Sequence, residues 1–216
     1  MDIEKELNKI LSKEKIKCAL IDRYAFASDA GFYYLLPKAV VQPSSIEDII
    51  ALFSFSKKNN IPLVFRTGGT SLSGQSITDG ILIDLGRYWR KAVILDNGNA
   101  VCVQPGIIAA NVNQQLKKYG KKIGPDPASI NAAMMGGILS NNSSGMCCGV
   151  VHNSYHTLQS VKFVLPDGSM YDTALKSDYW RFQNESPTIF DTIVTLKQRL
   201  EKNTALIKKI RTKYLL

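Results

Sequence analysis

The sequence predicts an α+β fold in which a β-α-β unit is followed by strands that form β-hairpins. Residues 39–66 follow the order strand, helix, strand, which is typical of a β-α-β unit with parallel strands. An Asn-Gly pair at 97–98 lies between two apolar runs, and a Pro-Asp-Gly turn occupies 166–168; both are signals for β-hairpins. The earlier strands are therefore expected to pair parallel and the later strands antiparallel.

Apolar periodicity predicts four helices. The first covers residues 2–17, and the second begins at Ser44, where a glutamate three residues later has the spacing of a capping box. A third helix is expected over residues 107–119, ended by a glycine, and the chain from about residue 187 is also expected to be helical. The aromatic-rich residues 22–37 are expected to be irregular. The expected strands are 39–41, 61–66, 81–85, 93–95, 100–104, 161–165 and 169–172.

The composition indicates a globular chain without a membrane span or a signal peptide. Hydrophobic residues make up 45% of the 216 residues, no apolar run approaches the roughly 20 residues of a spanning helix, and the charged N-terminus lacks an apolar signal core. The formal net charge is +9, and seven Lys or Arg residues against one Glu in 197–213 account for most of it. The rest is nearly balanced, so we expect a cytoplasmic protein with no nucleic-acid partner. Four cysteines without a CxxC pair and two poorly spaced histidines give no zinc site, so we expect no metal.

A loop rich in glycine and hydroxyl groups, RTGGTSLSGQ at residues 66–75, connects two predicted strands. No helix fits between this glycine loop and the strand at 81–85. The loop is therefore neither a Rossmann GxGxxG turn nor a Walker A loop, since both lead directly into a helix. Gly68 and Gly69 can adopt positive φ angles, so that successive backbone N–H groups converge on an anion, and Arg66 and the hydroxyls add further donors. A pyrophosphate would fit there; a flexible polar turn is the alternative.

A second glycine-rich stretch, the small-residue segment GPDPASINAAMMGGILSNNSSGMCCG at residues 124–149, supports a ligand site. Pro125 and Pro127 stiffen a turn around Asp126. The Ala, Gly and Ser residues between 132 and 145 keep one surface almost free of bulky side chains. A planar ring system could lie against such a backbone, whereas a close helix-packing seam is the alternative.

Taken together, the motifs resemble the FAD-binding domain of the FAD-linked oxidase family, the vanillyl-alcohol-oxidase or PCMH type. The matching segments are DRYAFASDAGFYYLLPKAVVQPSS, RTGGTSLSGQ, GPDPAS, MMGGILSNNSSGM and VLPDGS, in the family's order and spacing over about residues 22–172. The D-lactate, glycolate and D-2-hydroxyglutarate dehydrogenases are the branch that these motifs match best. The segment 124–149 is similar to the large branch that carries a C-terminal iron–sulfur module. The resemblance implies a two-subdomain PCMH-type FAD-binding fold. A small, mostly parallel α/β subdomain would cover residues 39–85, and a larger α+β subdomain with antiparallel strands would contain residues 93–172 and the tail, with FAD in the crevice between them.

The resemblance also implies which residues contact FAD. The glycine loop would wrap the pyrophosphate, mostly through backbone N–H groups, and the turn at 125–129 would lie near the flavin ring and ribityl chain. The implied cofactor-binding residues are Arg66, Thr67, Gly68, Gly69, Thr70, Ser71, Leu72, Gln75, Pro125, Asp126, Ser129, Gly136, Gly137, Asn142, Ser144 and Gly145. Met134 stands where many members have threonine, which would remove one hydrogen bond to the cofactor. His152 and His156 are not expected to attach the flavin covalently.

The implied chemistry is the oxidation of a small-molecule D-2-hydroxy acid such as D-lactate, glycolate or D-2-hydroxyglutarate, with hydride transfer to FAD. In this family the base and the carboxylate-binding groups come from a later domain, and a GSEGTLG-like strand follows this region; the sequence contains neither. We therefore expect a truncated chain that alone binds FAD weakly or not at all and has no turnover. Oxidation of another alcohol or a sugar is one alternative, and a non-catalytic nucleotide-binding module is another. The sequence identifies neither the catalytic residues nor the electron acceptor.

The motifs and the charge distribution divide the chain into four segments: an N-terminal helix and lead-in at 1–38, a first FAD-binding subdomain at 39–90, a second at 91–186, and a basic amphipathic helical tail at 187–216. In the tail, Ile193, Leu200, Ile207 and Tyr214 recur every seven residues. A basic amphipathic helix of this kind could lie on an anionic membrane, at its inner face. The alternative, which the sequence alone favours, is a helix packed on its own domain or on a further domain.

Overall fold

The computed structural model describes residues 2–213, which form two compact units. The first unit contains the residues up to Thr157 together with Pro166–Gly168, and the second contains Leu158–Leu165 and the residues from Ser169 onward. The elements of the first unit are α1 (Ile3–Leu7), β1 (Ile16–Lys17), α2 (Leu20–Ala25), β2 (Ala39–Val41), α3 (Ile46–Asn59), β3 (Leu63–Arg66), β4 (Ile81–Asp84), β5 (Ala92–Leu95), β6 (Ala100–Val103), α4 (Ala109–Leu116), α5 (Met135–Ser140) and α6 (Ser154–Thr157). Those of the second unit are β7 (Lys162–Val164), β8 (Met170–Asp172), α7 (Lys176–Glu185), α8 (Pro187–Lys202) and α9 (Thr204–Lys213).

The first unit is built around a four-stranded sheet with the strand order β1-β2-β4-β3. β2 and β3 both pair parallel with β4, in registers that place Val40 and Val64 opposite Leu82, whereas β1 pairs antiparallel with β2. All four residues of β4 are buried, because the strand lies between two others and shares an apolar cluster with Leu52 and Phe55 of α3. The predicted β-α-β unit and its mostly parallel strands are confirmed.

Helix α3 begins one residue later than the sequence predicts. Ser45 is the N-cap: its Oγ accepts a hydrogen bond from the backbone N–H of Asp48 at 3.3 Å, and the carboxylate of Asp48 accepts one from the N–H of Ser45 at 3.2 Å. The capping box thus joins Ser45 to Asp48, and the prediction that placed it between Ser44 and Glu47 is wrong. The Asp48 carboxylate is held in this position because it also accepts a hydrogen bond from Lys15 at 2.7 Å.

The prediction of a single helix over residues 2–17 is also wrong. α1 ends after five residues, where the side-chain amide of Asn8 donates to the carbonyl of Glu4 at 2.8 Å. Ile16 enters the sheet opposite Val41, and this pairing satisfies backbone groups that a continued helix would have used internally. α2 overlaps the lead-in that was expected to be irregular.

A second apolar cluster joins the β5–β6 hairpin to α4 and α5. The Asn-Gly turn at 97–98 connects two antiparallel strands, as predicted, and both of its residues have positive φ angles. Ile94 of the hairpin packs against the cluster that contains Val112 of α4 and Ile138 of α5. α5 lies inside the small-residue segment, where no helix was predicted because two adjacent glycines lower its helix propensity.

The second unit is a hairpin followed by three helices. β7 and β8 pair antiparallel, as predicted. The ring of Phe182 on α7 lies 5.1 Å from that of Tyr171 on β8 and 5.9 Å from that of Phe190 on α8, so an aromatic cluster holds the unit together. α7 was not predicted, because most of its residues are polar or aromatic and no apolar stripe marks it.

The predicted helical tail consists of two helices, α8 and α9, separated by Asn203. Tyr214, the last position of the predicted seven-residue repeat, lies outside the described residues. Over residues 2–213, every helix is too short or too polar to cross a bilayer.

Candidate functional site

The glycine loop leaves the carboxyl end of β3, beside the carboxyl end of β4. Arg66 and Asp84 occupy matching positions at these two strand ends. Residues 67–80 contain no helix or strand, as the sequence predicts. Ligands of parallel α/β sheets bind outside the carboxyl ends of the strands, so the loop lies where a ligand is expected.

Four consecutive backbone N–H groups of the glycine loop lack a protein acceptor. Within residues 2–213, no group accepts a hydrogen bond from the N–H of Gly68, Gly69, Thr70 or Ser71. All four residues are partly buried, and Gly69 has a φ angle of 62°, the left-handed conformation that helps successive N–H groups to converge. Partly buried backbone donors need a partner, and the oxygens of an anionic ligand would supply it.

Arg66 connects the start of the glycine loop to the segment that contains Phe26 and Ser28. Its guanidinium donates to the carbonyls of Ser28 at 2.7 Å and Phe26 at 3.3 Å, and it lies over the ring of Phe26 at 5.4 Å. Burial lowers the pKa of Arg66, although an arginine stays protonated in any case. The same guanidinium lies against the Cα of Gly69, which leaves no room for a side chain there. The guanidinium of Arg66, which the sequence offers as a positive charge for an anion, therefore also holds the loop against residues 26–28.

The outer half of the loop is closed by its own side chains. The hydroxyl of Ser71 donates to Oε1 of Gln75 at 2.6 Å and accepts from the backbone N–H of Ser73 at 3.1 Å. Leu72 presents its side chain to solvent, with 70% of its surface exposed. The side chains of Ser71 and Gln75 therefore fix the shape of the loop, whereas its free donors belong to the main chain.

The structure brings the glycine loop and the small-residue segment together. A Cβ added to Gly68 would lie 2.6 Å from the carbonyl oxygen of Ala132, and one added to Gly137 would lie 3.1 Å from Oγ1 of Thr67. Only a residue without a side chain allows the first of these approaches. The two motifs that the sequence singled out separately thus form one surface.

The first turn of α5 adds another free donor to this surface. The backbone N–H groups of Met135 and Gly136 donate to the carbonyls of Ile107 and Pro105 at 3.0 and 2.9 Å. The N–H of Gly137, by contrast, has no acceptor among residues 2–213, and Gly137 is exposed. The first two donors fix the start of the helix on its neighbours, whereas the third has no partner among the described residues and belongs to an exposed residue next to Thr67 of the loop.

Asp126 organises the far end of the small-residue segment. Its carboxylate accepts hydrogen bonds from the backbone N–H groups of Cys147 and Cys148, each at 3.2 Å. Burial acts to raise the pKa of Asp126, but these hydrogen bonds outweigh it, so the pKa lies below its ordinary value. Gly145 lies so close to Asp126 that a Cβ would clash with it. Asp126 and Gly145, both implied cofactor residues, are thus seen in contact with each other.

The remaining implied residues shape the backbone. Pro125 is buried, and the carbonyl of Ser129 accepts from two successive N–H groups at 2.7 and 2.8 Å, which closes the turn. Asn142 has a φ angle of 45° and its Oδ1 accepts from the N–H of Tyr155 at 3.0 Å. Ser144 is exposed and has no hydrogen-bond partner among the described residues.

Sequence reasoning missed two groups that support the glycine loop. The N–H of Ala30 donates to the carbonyl of Gly69 at 3.1 Å, so the lead-in segment holds the loop from outside. Asp84 is buried at the end of β4, and its carboxylate accepts from the side chain of Gln42 and from the N–H of Gly86, both at 2.8 Å. The signal for Asp84 was present, since an acidic residue directly follows three apolar strand residues. Across residues 2–213, no group of His, Cys, Asp and Glu side chains is arranged to hold a metal ion.

Comparison with known proteins identifies the family. The profile of the FAD binding domain family matches residues 37–174, well over half of the chain. The chain belongs to this family. It is 31% identical over 156 residues to the D-2-hydroxyglutarate dehydrogenase of Escherichia coli K12, a match that covers 70% of this chain and 15% of that protein. It is 27% identical over 148 residues to the glycolate oxidase subunit GlcD of Bacillus subtilis 168, covering 67% and 32% of the two chains.

Solved structures agree on the fold. The domain superposes on an alkyldihydroxyacetonephosphate synthase with a TM-score of 0.68 and 23% identity, over 80% of this chain and 37% of that one. The predicted PCMH-type FAD-binding fold is confirmed. The chain spans 15% of the length of the E. coli relative and 32% of the B. subtilis relative, so those matches identify a domain and not a complete enzyme.

The residues of the site fit FAD. A pyrophosphate is an anion and needs donors, which the free N–H groups of Gly68–Ser71 provide. A planar flavin needs a surface without side chains, and the open space beyond the Cα of Gly137 offers one. FAD is the cofactor of this domain, in agreement with the sequence-based expectation.

Proposed function

We propose that this domain belongs to a flavin-dependent dehydrogenase that oxidises a D-2-hydroxy acid such as D-lactate, glycolate or D-2-hydroxyglutarate. The observation that carries the proposal is the single surface formed by the glycine loop and the small-residue segment, with free main-chain donors on both. The substrate class rests on the names of the relatives, which include a D-2-hydroxyglutarate dehydrogenase and a glycolate oxidase subunit.

Within this proposal the glycine loop holds the pyrophosphate through the N–H groups of Gly68, Gly69, Thr70 and Ser71. Arg66 positions the loop and adds positive charge beneath it, while the bond between Ser71 and Gln75 fixes its outer turn. Thr67 and Leu72 belong to the same wall. The assignment of the pyrophosphate rests on the backbone N–H groups of residues 68–71, which have no acceptor among the described residues.

The small-residue segment is proposed as the wall of the flavin. Gly136 and Gly137 keep the start of α5 free of side chains, and Gly137 offers its N–H. Asp126 holds the turn that contains Gly145, so its part is to position backbone and not to react. The remaining residues that we assign to the FAD site are Pro125, Ser129, Asn142 and Ser144.

Bound FAD would supply the hydride acceptor for the oxidation of the hydroxyl-bearing carbon. The residues of this chain bind and orient the cofactor, and we assign no catalytic base to them. We also propose that one subdomain ends at residue 90, that the second covers residues 91–186, and that the tail begins at residue 187. Both subdomains would contact FAD.

Cofactor binding is tested first. The purified chain is titrated with FAD, and the change in flavin fluorescence gives the Kd. Saturable binding of one FAD per chain, weakened by substitution in the glycine loop, is the expected result. No binding at about 100 μM FAD, roughly a hundred times the concentration that half-saturates a typical micromolar site, would contradict the proposal that this chain forms the FAD site by itself.

The substrate is tested on the native protein. An antibody raised against residues 2–213 is used to purify the polypeptide from its own cells, and oxidation of D-lactate, glycolate and D-2-hydroxyglutarate is followed with a dye as electron acceptor. Turnover of a D-2-hydroxy acid, with little turnover of its L enantiomer, is expected. Turnover restricted to another alcohol or a sugar would replace the proposed substrate, and FAD binding without any turnover would favour a non-catalytic module.

A further inference from the structure

Helix α8 has an apolar stripe that is only partly covered by the described residues. Ile189, Ile193, Leu196 and Leu200 recur at intervals of four, three and four residues, which places them on one side of a helix. Ile193, Leu196 and Leu200 are 53%, 51% and 48% exposed. On an adjacent side of the helix, Phe190 is buried against the aromatic rings of α7. α8 is therefore attached to its unit by one face and leaves a second apolar face open.

Positive charge flanks this stripe on α8 and continues along α9. At 100° per residue, Lys197 and Arg199 lie on opposite sides of the line through Leu196 and Leu200. Residues 187–213 contain seven basic and two acidic side chains. In the part of the chain that the structure describes, Lys197 pairs with Glu201 at 3.9 Å, and the other six cations have no carboxylate within 4.0 Å. The cationic residues are Lys197, Arg199, Lys202, Lys208, Lys209, Arg211 and Lys213.

The combination of the two features selects the partner. A nucleic acid would neutralise the cations and leave the leucines in water. An apolar protein surface would cover the leucines and leave the cations without counter-charges. The surface of an anionic bilayer meets both requirements, because apolar side chains enter the acyl boundary while flanking Lys and Arg side chains reach the headgroups.

We propose that α8 and α9 bind reversibly to an anionic lipid bilayer and lie in the plane of its interface. With 16 residues, α8 is about 24 Å long, enough to lie on a membrane but not to cross one. The sequence alone favours a tail packed on its own domain or on a further domain; the half-exposed stripe and the six cations without a carboxylate partner among the described residues are the observations that favour a membrane. The electrostatic part depends on ionic strength, so binding responds to both lipid charge and salt.

Vesicle co-sedimentation tests this proposal. The full chain is mixed with phosphatidylcholine vesicles that contain either no anionic lipid or about 30% phosphatidylglycerol, at about 50 mM and about 500 mM salt. We expect binding to the anionic vesicles at low salt, a partition coefficient at least about tenfold lower at high salt, and little binding to neutral vesicles. No binding to anionic vesicles at low salt would overturn the proposal.

Two variants separate charge from apolar contact. The triple variant Lys208→Gln/Lys209→Gln/Arg211→Gln should lower the partition coefficient about tenfold or more. The matched control is Lys38→Gln/Lys57→Gln/Lys122→Gln, which removes three exposed charges from the first unit. Its partition coefficient should stay within about twofold of the wild-type value. An equal loss in the control would mean that net charge alone causes the binding, and would overturn the proposal.

The apolar stripe has its own variant, Leu196→Gln/Leu200→Gln. It should lower binding about fivefold or more even at low salt, because the cations alone hold the helix only loosely. Circular dichroism and FAD affinity should match the wild type, since both side chains are half exposed. Sedimentation velocity is run in parallel: a wild-type dimer that this variant abolishes, together with unchanged vesicle binding, would show that the stripe is covered by a second copy and would refute the membrane assignment.

Discussion

Replacing Gly137 with alanine should weaken FAD binding and leave the fold intact. A Cβ on Gly137 meets one protein atom within 4 Å, the Oγ1 of Thr67 at 3.1 Å, and otherwise enters open space. A shift of a few tenths of an ångström relieves that contact at a cost below about 1 kcal/mol, and alanine gains about 1 kcal/mol over glycine inside a helix. The free energy of unfolding should therefore stay within about 1 kcal/mol of the wild-type value.

The added methyl group would nevertheless stand on the surface that we assign to the cofactor, beside a backbone N–H without a protein acceptor. The methyl group would keep the flavin from reaching this N–H, and a polar group left without its partner costs about 1–3 kcal/mol, so the Kd for FAD should rise about five- to a hundredfold. Fluorescence titration gives the Kd and urea unfolding gives the stability. Ser54→Ala on α3 is the matched control, because it also raises helix propensity at an exposed position but lies outside the site. A folded Gly137→Ala variant with wild-type affinity would refute the assignment of this surface.

Three further predictions test the surroundings of the site. Gly68→Ala places a Cβ 2.6 Å from a backbone carbonyl oxygen, so urea unfolding should show a loss of about 1–3 kcal/mol; unchanged stability would contradict the contact between the two glycine-rich motifs. Ser45→Ala should lower the unfolding free energy by about 1 kcal/mol and Ser44→Ala by clearly less, whereas the reverse order would place the N-cap at Ser44. Burial acts to raise the pKa of Asp126 but hydrogen bonds from neighbouring N–H groups lower it overall, so its stabilising effect is complete above the ordinary pKa of about 3.9 and is lost as the pH falls through the lower folded-state value. Asp126→Asn should remove this acid-sensitive part of the unfolding curve, and a curve of unchanged shape would exclude the role.

The parallel sheet could be predicted from the sequence because its signals are local. Short apolar runs at 39–41 and 81–84 are bounded by turn residues, and the helix between the first two strands carries a regular apolar stripe. The N-terminal residues show why such signals fail elsewhere. The apolar spacing of 2–17 suits a helix, but backbone pairing of Ile16 with β2 outweighs that local preference.

The composition of the site could be predicted, whereas its contacts could not. The glycine and hydroxyl residues at 66–75 predict a loop whose backbone could hold an anion, with a flexible polar turn as the alternative, and this prediction requires no knowledge of the fold. The approach of Gly68 to Ala132 joins residues far apart in the sequence, and no local pattern encodes it. Similarly, nothing beside Arg66 in the sequence indicates that the carbonyls of Phe26 and Ser28 occupy its guanidinium.

Met134 shows how a site built from the main chain tolerates change. Its Cε would lie 3.2 Å from a Cβ on Gly86, so its side chain packs over the residue that caps the Asp84 carboxylate. A threonine at this position would be too short to fill that space. Methionine therefore provides apolar packing at the end of β4. The donors of the glycine loop are unaffected, because they are backbone N–H groups. The constraint on the sequence accordingly falls on Gly68, where any side chain would separate the two walls of the site.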